Sequence, residues 1–189
     1  METTSEHILD AVERLISDEG TRKLTIDAVA AEAGMSKGGI LYNFCNKREL
    51  LLGVIRRAVT QYRQRTYELS DKLSAQGVAC PVLRASFDIY RDYRNKTAPK
   101  ALFALAVQEP ELVAEFHEMS GEFAQAISDE ADDPVIGHIC ELVVDGLYYR
   151  VAMDIETRSS EEIEKLIDRV LMITSHSSQY TEIKAEVGN

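Results

Sequence analysis

The four residues Ala33-Gly34-Met35-Ser36 constrain this chain more than any others. Before them, Thr25 is a good N-cap for a short helix, Ile26 to Ala33, with apolar Ile26, Val29, Ala30 and Ala33. After them, Ser36 caps a second short helix, Lys37 to Asn43. So abrupt a turn calls for left-handed backbone, which is cheap only without a Cβ, and Gly34 meets that need. The result is a helix-turn-helix pattern. The second helix of such a unit enters the major groove of DNA with its N-terminal residues nearest the bases. Here that end reads Ser36-Lys37-Gly38-Gly39. A helical Gly costs about 1 kcal/mol relative to Ala. Two in a row make sense where backbone must approach a partner closely.

The charge distribution agrees. The 189 residues carry a net charge of -11, which at first argues against a polyanion partner. Residues 20–65 reverse the sign locally. They hold Arg22, Lys23, Lys37, Lys47, Arg48, Arg56, Arg57, Arg63 and Arg65 against Asp27, Glu32 and Glu49. A basic island in an acidic chain is the footprint of local nucleic-acid binding. The acidic remainder would repel DNA and help to decide which surface docks.

Helical spacing dominates elsewhere. Ser5 can cap a first helix carrying Ile8, Leu9, Val12, Leu15 and Ile16, and Gly20 ends it. Asn46 and Glu49 have capping-box spacing and open a fourth helix that runs past Tyr62. Further helices are expected at about Val82 to Arg94, Lys100 to Glu109 and Glu111 to Asp129, with Pro110 in a first-turn position. Asp133-Pro134 starts a long one to about Asp154, and Ser159 with Glu162 frames a last one. No strand alternation stands out. The expected architecture is all-α with about nine helices: a helix-turn-helix domain over 1–55 and a second helical domain over 56–189.

The stretch from Leu24 to Leu51 resembles the DNA-binding signature of the TetR family of transcriptional regulators. The segments Ala33-Gly34-Met35-Ser36, Leu41-Tyr42-Asn43-Phe44 and Lys47-Arg48-Glu49-Leu50-Leu51 all fall in register with it. The resemblance covers roughly residues 8–55. It implies a homodimer on a near-palindromic double-stranded operator, with recognition helices about 34–36 Å apart. It also implies roles. Thr25, Tyr42 and Lys47 would meet phosphates. Ser36 and Lys37 would meet phosphate or a base edge, and Gly38 and Gly39 would lie against the DNA. Asn43, where the family often has His, would contact backbone or base. Phe44 would pin the recognition helix to its neighbours. Few of these side chains can read bases, so much of the specificity would be indirect.

The second domain would dimerise and hold a small-molecule effector. The stripe Ile136, Ile139, Val143, Leu147 and Val151, with Leu166 and Val170 of the last helix, offers a four-helix interface between two copies. Residues 101–149 carry eleven acids and no Lys or Arg. Glu141 and Asp145 stand four apart in an otherwise apolar helix, so they share a face and repel. Arg150, another basic neighbour or a ligand would relieve them. Phe87, Tyr90, Tyr93, Phe103, Phe116, Phe123, Tyr148 and Tyr149 are near in sequence. Aromatic walls with one or two carboxylates suit an organic cation. The expected effector is therefore a lipophilic cation or a polyamine that releases a repressor from its operator, with a multidrug efflux gene as target. Control by a metal, or by a protein partner without an organic ligand, stays open beside it.

Other classes find little support. No P-loop, dinucleotide fingerprint, His-Glu-x-x-His or nucleophile elbow is present, so no enzyme and no cofactor is expected. His7, His117, His138 and His176 are scattered, though His138 and Glu141 share a helical face. Cys45, Cys80 and Cys140 lack the paired spacing of a disulfide framework or zinc ribbon, and no metal site is expected. The polar, acidic Met1 to Asp10 lacks the basic start and apolar core of a secretory signal, and no 18-residue apolar run occurs. A cytoplasmic protein without membrane contact is expected.

Overall fold

The structure, a computed structural model, describes residues 3–20, 23–96 and 110–175, with side chains from 118 to 174 in the last stretch. Eight α-helices form among these residues: α1 (Thr4–Glu19), α2 (Ile26–Glu32), α3 (Lys37–Asn43), α4 (Lys47–Ala75), α5 (Pro81–Tyr93), α6 (Pro110–Glu130), α7 (Pro134–Ala152) and α8 (Ser160–Ser175). The all-α expectation holds. The short helix expected near Lys100 to Glu109 lies outside the described residues. Two compact units form, one on the chain up to Gln61, the other on Tyr62–Arg94 and the chain from Glu115. The helix α4 passes unbroken through both residue 55 and residue 61.

In the first unit, α1, α2 and α3 pack on one another. Ile8, Val12, Ile16, Val29, Ile40, Leu50 and Val54 are fully buried. The cap of α1 is Thr3, whose hydroxyl accepts from the Glu6 amide, and not Ser5 as expected. Ser5 lies one residue inside the helix, and its hydroxyl instead donates to the Asn43 side-chain oxygen at 3.2 Å. Either hydroxyl could cap. The difference is that Ser5 has a tertiary partner on α3. Arg57 of α4 is only 8 % exposed at its side chain and meets Glu6, Asp10 and Glu13 at 3.1, 2.7 and 2.7 Å. It ties α4 to α1 through charge-assisted bonds.

In the second unit, α7 packs against α5 and α8. The core joins Leu83, Phe87 and Tyr90 of α5 to Ile127 of α6, Cys140, Val144, Leu147 and Val151 of α7, and Ile163, Ile167 and Val170 of α8. Asp133 caps α7 as expected, accepting from the Val135 amide. Ser159 and Glu162 form a reciprocal capping box, amide to side chain in both directions.

Most of the apolar stripe expected to dimerise lies inside this unit. Leu147, Val151 and Val170 are buried in the unit's own core, and Ile136, Val143 and Leu166 are packed against it. Ile139 alone of that set is exposed. At 100° per residue, steps of four drift by about 40° each, so a stripe counted in fours walks from the outer face into the core. The outer face follows alternating steps instead: Val135, Ile139, Leu142, Gly146, Tyr149 and Met153. Its five side chains are all exposed, Leu142 by 68 %. The helix is apolar on both sides, and only one side is used within the unit.

Helices α6 and α7 approach closely at Gly137. A Cβ built there would stand 2.6 Å from the Ser128 Cα, a backbone atom that cannot swing away. Gly121 of α6 has open space. Helix propensity alone favours Ala at both positions by about 1 kcal/mol. We expect Gly121→Ala to raise the unfolding free energy by about 0.5–1 kcal/mol and Gly137→Ala to lower it by about 2 kcal/mol. Urea denaturation of the two variants checks the opposite signs.

Candidate functional site

The recognition unit is built by its turn. Gly34 has φ +64. Its N–H bonds the Ala31 carbonyl at 3.2 Å, and the Met35 N–H bonds the Ala30 carbonyl at 2.9 Å. These two bonds are a Schellman motif, which ends α2 and redirects the chain at once. Ser36 then caps α3, its hydroxyl accepting from the Gly39 amide at 3.1 Å. Thr25 caps α2 by accepting from the Ala28 amide at 3.1 Å. Each capping hydroxyl keeps its own proton, so each can still donate outward.

Thr25, Ser36, Lys37, Gly38, Tyr42 and Lys47 are all exposed, and Gly39 is half-buried. Tyr42 is 91 % exposed, unusual for a ring that ordinarily hides its apolar body. The Lys37 ammonium lies 3.0 Å from Asp27, a surface pair open to exchange for a stronger anion. A Cβ at Gly38 would meet only the Ser36 hydroxyl, at 3.9 Å, so nothing inside the chain requires glycine there. Asn43 is placed differently from the rest. Its amide donates to the Gly39 carbonyl at 2.9 Å, and its oxygen accepts from Ser5. The half-buried side chain thus anchors α3 to α1. Phe44 is half-buried and lies close enough to Gly53 that a Cβ there would sit 2.7 Å from the ring. Cys45 is exposed and forms no disulfide among the described residues.

The second unit gathers aromatic rings. Tyr148 of α7 is central, with ring centroids 5.5 Å from Tyr62, 5.4 Å from Tyr90 and 4.9 Å from Tyr93. Phe123 of α6 adds contacts to Tyr62 at 5.6 Å and Tyr67 at 5.3 Å. The Tyr148 hydroxyl donates to the Ser86 carbonyl at 3.1 Å, beside the Tyr62 ring. Burial pushes both phenols up, and Tyr93 as well. The hydroxyls of Tyr90 and Tyr93 are buried with no hydrogen-bond partner among the described residues.

Of the expected ligand residues, Tyr90, Phe123 and Tyr148 come together here. Phe87 does not join these ring contacts. It is buried in the core and borders a separate half-open groove of about 360 Å³ with Leu73, Val78, Arg84, Asp168 and Leu171. Phe103 and the side chain of Phe116 lie outside the described residues. Tyr149 points outward. Asp145 sits at the cluster's edge. Partial burial raises its carboxyl, the neighbouring Glu141 charge adds to that, and a hydrogen bond with Ser120 opposes both. Arg150 does not relieve the two carboxylates: it pairs with Glu156 at 3.2 Å. His138 bonds the Pro134 carbonyl of its own helix. Among the described residues no three His, Cys, Asp or Glu side chains converge as a metal site would need.

Sequence reasoning missed Tyr62 and Tyr67, because α4 was read for its DNA-facing start. A signal was available. Tyr62, Thr66 and Ser70 recur every four residues in a charged helix, and Thr66 and Ser70 are buried. Polar but small residues at helical spacing mark a packed face.

Comparison with known proteins completes the description. Residues 8–54 match the family model described as bacterial regulatory proteins, tetR family. Residues 78–175 match the model of the tetracyclin repressor-like C-terminal domain. Among solved structures, the multidrug binding protein EbrR complexed with imidazole superposes with a TM-score of 0.66 at 20 % identity, over 89 % of this chain and 94 % of that one. EbrR complexed with malachite green gives 0.62 at 20 % identity, over 88 % and 97 %. A member of the TetR family from Streptomyces coelicolor A3 gives 0.65 at 20 % identity, over 89 % and 98 %. No curated protein matches the chain.

The internal role of Asn43 separates it from its exposed neighbour. Asn43→Ala removes two hydrogen bonds and is expected to lower stability by about 1–2 kcal/mol. Tyr42→Ala should change it by no more than about 0.5 kcal/mol. Thermal unfolding of the two variants distinguishes them.

Proposed function

This chain belongs to the tetR family of bacterial regulatory proteins, and on that premise we propose that it is a homodimeric repressor released from its operator by a lipophilic cation. The observation that carries the DNA half is the exposed face of Thr25, Ser36, Lys37, Gly38, Tyr42 and Lys47. Hydroxyls, ammonium groups and a phenol stand around an open glycine backbone, in an acidic chain whose local charge is positive. Phosphate oxygens would accept from Thr25, Tyr42 and Lys47, and Lys37 would leave Asp27 for phosphate or a guanine edge. Gly38 and Gly39 would let the helix backbone sit against the duplex. Asn43 would act by holding α3 in place.

A single such face contacts too few phosphates for tight binding, and the outer face of α7 supplies a way to double it. Val135, Ile139, Leu142, Tyr149 and Met153 are exposed, with Met172 of α8 exposed as well. A second copy packed there would bury them and form a four-helix bundle.

For the effector, the tyrosine cluster offers ring faces and, in Tyr90 and Tyr93, two buried hydroxyls that lack partners. An unsatisfied buried hydroxyl costs about 1–3 kcal/mol, which a ligand acceptor recovers. Asp145 at the edge favours a cation. EbrR, of the same fold, was solved with malachite green, a lipophilic cation. The helix α4 begins at Lys47 and carries Tyr62 of the cluster, so backbone continuity joins the two ends of the account. A ligand that favours a conformation with misplaced recognition helices weakens DNA binding by its differential affinity.

Selection of duplexes from a random pool, followed by fluorescence anisotropy at two salt concentrations, tests this reading. The selected duplex should carry two half-sites one helical turn apart. Tyr42→Phe with Lys47→Ala should weaken binding and reduce the salt slope by about 2 for a dimer. Malachite green should weaken the complex by roughly 10–100-fold. Its affinity should rise with pH through the raised titration of Asp145, because the ionised carboxylate binds the cation, and should lose that dependence in Asp145→Asn. No enrichment of any duplex would overturn the DNA half. Tight binding of neutral compounds with none of cations would overturn the ligand half.

A further inference from the structure

His7, one of the scattered histidines, is the fourth residue of α1 and belongs to the recognition unit. Its Nε2 lies 2.9 Å from the Ala33 carbonyl oxygen. A carbonyl only accepts, so Nε2 carries the proton and donates it. Ala33 is the C-cap of α2 and is buried. No backbone amide among the described residues donates to its carbonyl. A buried carbonyl needs a partner, and His7 supplies one.

The peptide that carries this carbonyl is the one that turns the chain. The Ala33 carbonyl and the Gly34 N–H belong to a single planar group. The Gly34 N–H donates to the Ala31 carbonyl at 3.2 Å. With His7 on the carbonyl side, the plane is held from both ends. Its orientation fixes ψ of Ala33 at -6 and φ of Gly34 at +64, the two angles that stop α2 and aim α3.

Two further contacts join α1 to its neighbours. Arg14 Nε meets Glu32 at 2.6 Å, and the Ser5 hydroxyl meets Asn43 at 3.2 Å. The first is a surface ion pair, which salt screens and which holds only side chains. The second secures the far end of α3. Of the three, only His7 reaches the backbone of the turn. We infer that His7 is a positioning residue for DNA recognition: it fixes the peptide between Ala33 and Gly34, and through it the direction in which α3 presents Lys37, Gly38 and Tyr42. The inference rests on the DNA-binding reading above. The His7 ring is exposed, so its removal lets water reach the Ala33 carbonyl. The fold therefore survives the loss, and the aim of α3 loosens.

The test compares His7→Ala, His7→Asn and His7→Gln in the full chain. Gln places an amide nitrogen at the reach of Nε2, whereas Asn reaches only as far as Nδ1. Ala is a better helix former than His, so its effect does not arise from a weakened α1. All three variants should unfold within about 2 °C of the parent. Hydrogen exchange at the Gly34 and Met35 amides should quicken roughly fivefold in His7→Ala and His7→Asn and stay parent-like in His7→Gln. The duplex selected by the parent should bind roughly tenfold more weakly to the first two and within about twofold of the parent to the third. Unchanged exchange in His7→Ala, or no difference between the Asn and Gln variants, would overturn the inference. So would an unfolding temperature lowered by more than about 5 °C, the mark of a general packing contact. Parent-like affinity of His7→Ala, in a parent that binds its duplex, would overturn the inference alone. A parent that selects no duplex would overturn the DNA-binding reading and the positioning role with it, so the two failures are told apart by the parent.

Discussion

The left-handed turn at Gly34 is the constraint on which the recognition unit depends. Two backbone bonds, from Gly34 and Met35 to the end of α2, stop one helix and aim the next within three residues. A residue with a Cβ at φ +64 would strain that turn by roughly 1 kcal/mol. Everything outward of it follows. Ser36 is placed to cap α3, Lys37 to meet Asp27, and Gly38 and Tyr42 to face solvent. The fold then reinforces the aim from behind. Asn43 and Ser5 bind α3 to α1, and Arg57 binds α4 to α1 through three carboxylates.

The second unit rests on a different device, a helix apolar on opposite sides. The inner side of α7 carries Cys140, Val144, Leu147 and Val151 into the core. The outer side presents Val135, Ile139, Leu142, Tyr149 and Met153. Between the two lie Glu141, Asp145 and Tyr148, where polar groups edge the aromatic cluster. One helix therefore contributes to a core, an outer apolar face and the candidate ligand site, by angular sector. This explains why a highly apolar segment is needed where a single buried stripe would have served a simpler fold.

Local signals were legible in the sequence because their chemistry is local. Thr25, Ser36, Asp133 and the Ser159–Glu162 pair cap the helices they were expected to cap. The Gly34 turn was legible for the same reason. Long-range choices were not. Ser5 and Thr3 are equally good caps, and only the Asn43 side chain on α3 decides between them. Asn43 itself reads as a polar contact residue on a recognition helix until its two internal partners are seen. The stripe on α7 divides between core and surface because each four-residue step drifts by only about 40° around the helix, too little to show in the sequence. The tyrosine cluster was half legible: Tyr90, Phe123 and Tyr148 stand out among the acidic helices, whereas Tyr62 and Tyr67 sit in a charged helix whose start drew a different reading.

The central claim is that the backbone of α3 touches DNA at a glycine the chain itself does not need. Gly38→Gln tests it most directly, because space is open there and a side chain strains nothing within the fold. The account predicts unfolding unchanged or up to about 1 kcal/mol more costly, together with at least roughly tenfold weaker binding of the selected duplex. Unchanged affinity in a stably folded variant would contradict it, since the helix would then have no close approach to lose.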